Sequence, residues 1–449
     1  MIDKIERVIR RILPSPFSIA IILTILVIIL ALLFTKTQII EIFTFWEKGL
    51  WNSNLMYFTM QMMLMLVLGY VIALTESCEN LINKITKFCG DSAKAASLVA
   101  FFTILVSFFN WGLGLIFGAI LARKVGEYSI KNNIDINYPL IGAAGYSGLM
   151  VWHGGISGSI PLKIAEKNHF KEIIFNQKLL EKLPENGINF SETVFSNMNL
   201  MVSLVLLFSI PLILFYLGKK TPFGKKISFE KEKKIPKNTE IFGAEKIDHS
   251  TLFSKVIGLI ILLLVIKNIY VAKSLSFINP NFINLLLLGL SLFLHKNFNN
   301  FLIAVNKAIT SASGILIQFP LYFGIMGIMN STGLVDIFAN FFVNISNEKT
   351  YPIFTMLSGG IVNIFVPSGG GQWAVQGIIV LQSAVDLGVS IPKSIMALVY
   401  GDQLTNMLQP FWALPLLGIT QLKAKEILPY TLIIMLIGFL IFSVALIIY

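Results

Sequence analysis

Apolar runs of about twenty residues, the length that carries a helix across a hydrocarbon core, recur along this whole chain. They lie at 17–34, 52–74, 101–122, 139–163, 198–217, 251–271, 282–295, 303–330, 351–384, 393–417 and 427–448. Inside a bilayer the N–H and C=O groups of such runs must be satisfied within the protein, so the fold class expected is an all-α polytopic membrane protein. A β-barrel would show ten-residue stretches of alternating polarity instead. Charged residues make up 13% of the 449 residues, about half the share in soluble domains, which excludes a string of such domains. The net charge of +11 sits between the runs, where the positive-inside rule accounts for it without a nucleic-acid partner.

The first residues set Ile2, Ile5, Ile9 and Ile12 at helical spacing against Lys4, Arg7, Arg10 and Arg11. This reads as an amphipathic helix on the inner membrane surface, stopped by Pro14 and Pro16. The run after it is too long for a secretory h-region and has no small-residue cleavage site, so it reads as an uncleaved first span. Cys78 and Cys89 fit no metal spacing and read as small apolar fillers.

Four runs are broken midway. The breaks are Asn110-Trp111-Gly112-Leu113-Gly114, His153-Gly154-Gly155-Ile156-Ser157-Gly158-Ser159, Pro367-Ser368-Gly369-Gly370-Gly371-Gln372 and Asp402-Gln403-Leu404-Thr405-Asn406. Non-helical backbone at membrane depth is tolerated only where protein or a water-filled cavity satisfies it, so each break is a candidate binding site. The two halves of the chain also echo one another. At an offset of 253, residues 58–85 lie over 311–338 and Asn110 over Asn363; one residue more places Tyr146 on Tyr400 and Pro161-Leu162 on Pro415-Leu416. This order and spacing predict an internal duplication.

Charge then sets the topology. With the N-terminus inside, the lysine-rich connector 218–250 stays inside only if residues 98–124 form a re-entrant hairpin from the cytoplasmic side. The extra crossing 251–271 inverts the second half, whose hairpin 351–386 enters from outside. The expectation is two inverted-topology repeats, about nine crossing helices and two opposed re-entrant hairpins, in an inner-membrane protein whose C-terminus lies outside. The repeats would cover 1–217 and 251–449, joined by the cytoplasmic linker 218–250.

Inverted repeats with discontinuous helices are how secondary transporters build a midplane site. Half-helix N-termini favour an anion and unwound carbonyls a cation. Neither lysine nor arginine falls within the four breaks, which suits a small monovalent anion held by neutral donors. The candidate substrate-binding residues are Asn110, Gly112, Gly114, Ser157, Ser159, Asn363, Ser368, Gly369, Gly370 and Gly371. His153 and Asp402 are ionisable groups near the middle of apolar runs, and with Thr405 and Asn406 they are the candidates for cation coupling, by proton or, at Asp402, by sodium. Against this stands hydrogen-bonded packing for His153 and helix capping for Asp402. Trp111, Trp152, Trp373 and Trp412 each flank a break and read as core packing or as the wall of a pocket for a short acyl chain. Residues 155–158 carry a Gly-x-Ser-Gly pattern of intramembrane serine proteases, but a base on a separate element beside Ser157 is not evident. A channel is the other rival, and paired hairpins in a duplicated chain argue against it.

The strings NWGLGLIFGAILARK, AAGYSGLMVWHGGISGSIPLK and VNIFVPSGGGQWAVQG resemble the short-chain fatty acid transporter family, permeases associated with acetoacetate and butyrate degradation. The resemblance runs over nearly the whole chain. It implies membership of a larger ion-transporter superfamily that includes divalent-anion/sodium symporters, whose two opposed hairpins carry Ser-Asn-Thr tips and move as an elevator. Asn110 and Asn363 match the tip asparagines, with a sodium site near each. Their neighbours here are Phe109 and Trp111, and Val362 and Ile364, which agrees with a single carboxylate carrying an apolar tail. The expected function is therefore symport of butyrate, acetoacetate or a similar monocarboxylate with H+ or Na+, by a homodimer, without enzymatic activity or cofactor. The alternative is another small carboxylate, a dicarboxylate or one resembling an amino acid.

Overall fold

The computed structural model describes residues 14–166, 169–174, 177–221, 243–271 and 279–449. The expected basic N-terminal helix and most of the lysine-rich connector lie outside the described residues. The described residues fold into helices without strands. The first half holds α1 (Pro16–Phe34), α2 (Ile39–Leu50), α3 (Ser53–Ala73), α4 (Glu76–Thr86), α5 (Ser92–Phe109), α6 (Trp111–Lys131), α7 (Tyr138–Tyr146), α8 (Ser159–Ile164) and α9 (Asn197–Lys220). Helix α10 (Thr251–Val271) follows. The second half holds α11 (Pro280–Leu294), α12 (Phe298–Ala308), α13 (Ser313–Ser331), α14 (Leu334–Asn344), α15 (Tyr351–Phe365), α16 (Gly369–Asp386), α17 (Ile391–Thr405), α18 (Pro410–Thr420) and α19 (Ala424–Ile448).

Local chemistry starts these helices where the sequence supplies it. Ser15, Asn52, Asn110, Ser196, Asn279 and Ser368 each accept a backbone N–H of the first turn, and Pro16, Pro280 and Pro410 stand where their missing N–H costs nothing. Seven stretches among the described residues are long and apolar enough to cross a membrane: Pro16–Phe34, Ile39–Ala73, Ser92–Phe109, Asn197–Lys220, Thr251–Val271, Phe298–Ser331 and Ala424–Ile448. Two exceed the expected spans, because α2 runs into α3 and α12 into α13 with only short interruptions. Helices α1 and α10 turn Ile22, Ile25, Leu33, Leu252, Leu259 and Tyr270 outward. That much exposed apolar surface is unfavourable in water and costs nothing against lipid tails.

Two pairs of helices fold back on themselves. In the first, α5 and α6 part only at Asn110 and run antiparallel, so that Gly114 packs against Ser107 and Gly118 against Thr103. A Cβ at Gly114 would collide with Ser107, so the close approach requires glycine there. In the second pair, Gln372 Nε2 donates to Gly359 O at 2.8 Å and Tyr351 Oη to Val380 O at 2.9 Å, which fixes α15 antiparallel to α16. Between the halves, α2 packs on α13 and α12 on α3, while α6 packs on α18 and α16 on α8. Arg123 is buried on α6. Its Nε donates to Glu127 at 2.7 Å and its Nη1 to Ile419 O at 3.4 Å, near the C-terminus of α18.

Candidate functional site

The two folded-back pairs and the two broken helices converge. Helix α7 ends in a 3-10 turn at Ser147–Met150, and the chain then loops through His153–Gly158 before α8. Helix α17 likewise passes through a 3-10 turn, Asn406–Leu408, into α18. The breaks are tied together: Gln403 Oε1 accepts the backbone N–H groups of His153 at 3.2 Å and Gly154 at 3.1 Å. Asn199 of α9 donates to Gly154 O at 2.8 Å and accepts from Tyr400 Oη at 3.1 Å, while Tyr146 Oη donates to Asn406 O at 2.8 Å. Each half thus satisfies freed backbone, or its support, in the other, as buried polar groups require.

A cavity of about 340 Å³ opens where the first break meets both hairpin tips. Asn110, Trp111, Ser157, Ser159 and Gly370 line it, with Phe58 and Met65 from α3 and Lys163 and Glu166 at and beyond the end of α8. Asn110 Oδ1 accepts Leu113 N–H at 2.9 Å, and Ser157 Oγ accepts Trp111 N–H at 2.9 Å. The N-termini of α6 and α16 both start at this space, and the C-terminus of α5 ends there too, at Asn110. Trp111, Trp152 and Trp412 cluster beside it, with ring centroids 5.2–6.3 Å apart, and Phe58 sits 6.3 Å from both Trp111 and Trp412. Trp373 stands apart, donating its Nε1–H to His169 Nε2 at 2.8 Å.

Asn363 is placed differently from Asn110. It is fully buried and absent from the cavity wall; its Nδ2 faces Asp402 O at 2.7 Å, Asn406 Oδ1 at 2.8 Å and Thr405 Oγ1 at 3.0 Å. Three acceptors surround an NH2 group that has two hydrogens. Its own Oδ1 finds no hydrogen-bond donor among the described residues, nor do Asp402 Oδ2, Gln409 Oε1 and Gln372 Oε1. One donor, Asn406 Nδ2, is also without a partner there. Gln409 Nε2 donates to Asn363 O, and Thr405 Oγ1 donates to Gly360 O at 2.9 Å. Oxygen acceptors outnumber donors, and the C-terminal ends of α15 and α17 meet here with their partial negative charges. The donor set fits a desolvated cation better than an anion.

His153 joins the two regions. Its Nδ1 lies 3.3 Å from Asp402 Oδ1, an ion-pair approach without hydrogen-bond alignment, and both side chains are buried. Its Nε2 accepts Ile160 N–H at 3.2 Å, which puts the proton of a neutral ring on Nδ1, facing the carboxylate. Trp152 stacks on the imidazole at 4.3 Å, and Gly369 at the start of α16 packs against it closely enough that a Cβ would meet Cε1 at 2.5 Å. Ser157 Oγ is engaged by Trp111 N–H and makes no hydrogen bond to His153.

Of the other glycines expected at the site, Gly112 faces Met65, Gly114 faces Ser107, and Gly371 sits by Ser368 and Met326. Ser368 caps α16 through Gly371 N–H at 3.3 Å. Gln403, Gln409, Gln372, Asn199, Lys163 and Glu166 escaped the sequence reading. The first three stand in or beside the breaks, a position that could have flagged them, whereas Asn199 opens an ordinary span.

The profile of the short chain fatty acid transporter family matches residues 1–449. An Escherichia coli (strain K12) protein provisionally named a short-chain fatty acid transporter is 33% identical over 457 residues, covering 99% of each chain. A Haemophilus influenzae protein of the same provisional name is 32% identical over 441 residues, covering 96% of each. A solved structure of Neisseria gonorrhoeae MtrF, described as illuminating a class of antimetabolite efflux pumps, aligns over 98% of this chain and 97% of its own. Its identity is 15% and its TM-score 0.40, a level that carries no argument about this chain. The relatives are transporters by name, not enzymes, and the apolar helices make this chain a multi-pass membrane protein. With full-length relatives at this identity and a matching profile from the first residue to the last, the chain belongs to the short chain fatty acid transporter family.

Proposed function

We propose that the protein is a secondary active transporter of butyrate, acetoacetate or a similar short monocarboxylate, driven by a co-transported cation. The observation that carries this reading is the separation of dipoles. Two helix N-termini, of α6 and α16, meet at the cavity beside the single C-terminus of α5, and two helix C-termini, of α15 and α17, meet at the oxygen-rich cluster around Asn363. The first arrangement suits a carboxylate and the second a cation, and a symporter needs both.

The carboxylate is held near Asn110, Ser157, Ser159 and the start of α16 at Gly370, with Phe58, Trp111 and Met65 along the acyl tail. A cavity of about 340 Å³ with an aromatic wall agrees with a short chain. Asn363, Asp402, Thr405 and Asn406 hold the cation, in place of the direct substrate contact expected of Asn363. Sodium suits the excess of oxygens; a proton suits the His153–Asp402 approach at 3.3 Å. Duplication is supported by the similar order of helices, α1–α9 and α11–α19, apart from the short helices His169–Ile173 and Gln177–Leu180 that the first half adds between α8 and α9, and by contacts between halves that come in exchanged pairs. We read the halves 1–217 and 251–449 as inverted repeats about the linker 218–250. The folded-back pairs are then re-entrant hairpins in an elevator-type carrier, a homodimer of the inner membrane with its N-terminus cytoplasmic.

The test is uptake of labelled butyrate into proteoliposomes, imposing sodium and proton gradients one at a time. Accumulation driven by one gradient is expected. Equal uptake with neither gradient, or no uptake of any short carboxylate, refutes the reading.

A further inference from the structure

We propose that Lys163 and Glu166 form a charge-selective mouth on the cavity, in which Lys163 receives the single carboxylate of an arriving substrate and Glu166 turns away solutes with a second negative charge. The proposal rests on the carboxylate reading of the cavity given above and adds to it the means of choosing between mono- and dicarboxylates.

Lys163 is the one cationic side chain along this cavity and Glu166 the one anionic side chain among the described residues that line it. Ser159 and Lys163 stand four apart on α8 and so share a face, the serine half-buried and the lysine exposed, both along the cavity wall. Lys163 Nζ donates to Glu166 Oε1 at 3.2 Å and Oε2 at 3.0 Å. The two side chains are 53% and 48% exposed, so water competes for both and the pair contributes little to stability. A short carboxylic acid anion presents the same group as the Glu166 side chain. Exchange of one carboxylate for the other on Nζ is therefore nearly balanced, and the bound anion can then pass inward to Ser159, Ser157 and the helix N-termini.

Asymmetry between one and two charges follows. With its lysine taken by the substrate, Glu166 is left as an uncompensated negative charge at the rim. A monocarboxylate carries its one charge on Lys163 and brings no second charge past Glu166. A dicarboxylate must carry its second carboxylate past Glu166, and like charges close together at an interface are what negative selection uses. An ordinary solvated pair that merely closes the last turn of α8 would affect neither affinity nor selectivity.

The experiment uses full-length protein in proteoliposomes and labelled butyrate, with succinate as unlabelled competitor. Loss of a half-exposed charge contact, worth at most about 1 kcal/mol, should raise KM of Lys163→Gln by about three- to fivefold and leave kcat within about twofold, with Lys163→Arg near wild type. The KM of the wild type should rise with ionic strength and that of Lys163→Gln should not, since exposed charges are screened within about 10 Å at 0.1 M salt. Glu166→Gln should let succinate compete about fivefold better. If wild-type protein takes up butyrate while Lys163→Gln keeps its KM, or loses kcat alone, the mouth is overturned and the transport reading stands. Should Lys163→Gln fail to insert, unchanged succinate competition in Glu166→Gln overturns it. Absence of wild-type uptake of butyrate and acetoacetate overturns both.

Discussion

Replacing Asp402 by asparagine keeps the shape of a fully buried side chain and removes the carboxylate from the oxygen cluster. In a buried site of effective dielectric about 20, a unit charge at roughly 3 Å gains about 5 kcal/mol from a cation, before desolvation of both groups takes back several kcal/mol. What remains is of the order found for hydrogen bonds to charged groups, about 1.5–3 kcal/mol. At 1.4 kcal/mol per tenfold, the cation concentration for half-maximal uptake should rise about 10- to 100-fold in Asp402→Asn. The cavity wall does not include Asp402, so KM for butyrate at saturating cation should stay within about threefold. The assay is initial-rate uptake in proteoliposomes, titrating sodium at fixed pH and then pH without sodium. The ion whose titration moves is the coupling ion. A variant with wild-type dependence on both ions refutes the cation assignment, and one that loses butyrate affinity with unchanged cation dependence refutes the division of the site into two regions.

Other perturbations bear on the cavity and on packing outside it. A Cβ built at Gly370 meets no atom within 4 Å, so Gly370→Leu should fold and project into the cavity. Hexanoate uptake should fall well before acetate uptake, and equal loss of the two would show that the tail does not lie against α16. Between α4 and α5, burial pushes the Cys89 thiol up to about 12, with Asp91 adding to the rise. At pH 8 about one thiol in ten thousand is then ionised, so thiolate alkylation of Cys89 should be negligible in the folded protein, and rapid labelling would refute the buried corner.

Much of the architecture was legible because it is local. A bilayer forces apolar runs into helices, and Ser15, Asn52, Asn110, Ser196, Asn279 and Ser368 mark their starts through bonds spanning only three residues. The breaks were legible as well, since glycine, proline and polar side chains in an apolar run have few other uses. The offset of 253 between the halves paired Asn110 with Asn363, yet the pair does not share an environment. Asn110 ends α5 and caps α6, where a helix C-terminus meets an N-terminus at the cavity wall; Asn363 lies two residues before the end of α15, among carbonyls. Equivalent letters met different sets of helix ends. Only the tertiary structure decided this, and only it brought His153 to Asp402, Gln403 to the His153 and Gly154 N–H groups, and Arg123 to Ile419 O, contacts separated by roughly 250 to 300 residues. Helix identity is written in neighbouring residues, whereas the electrostatic sign of each site depends on which helix ends the packing of distant segments brings together.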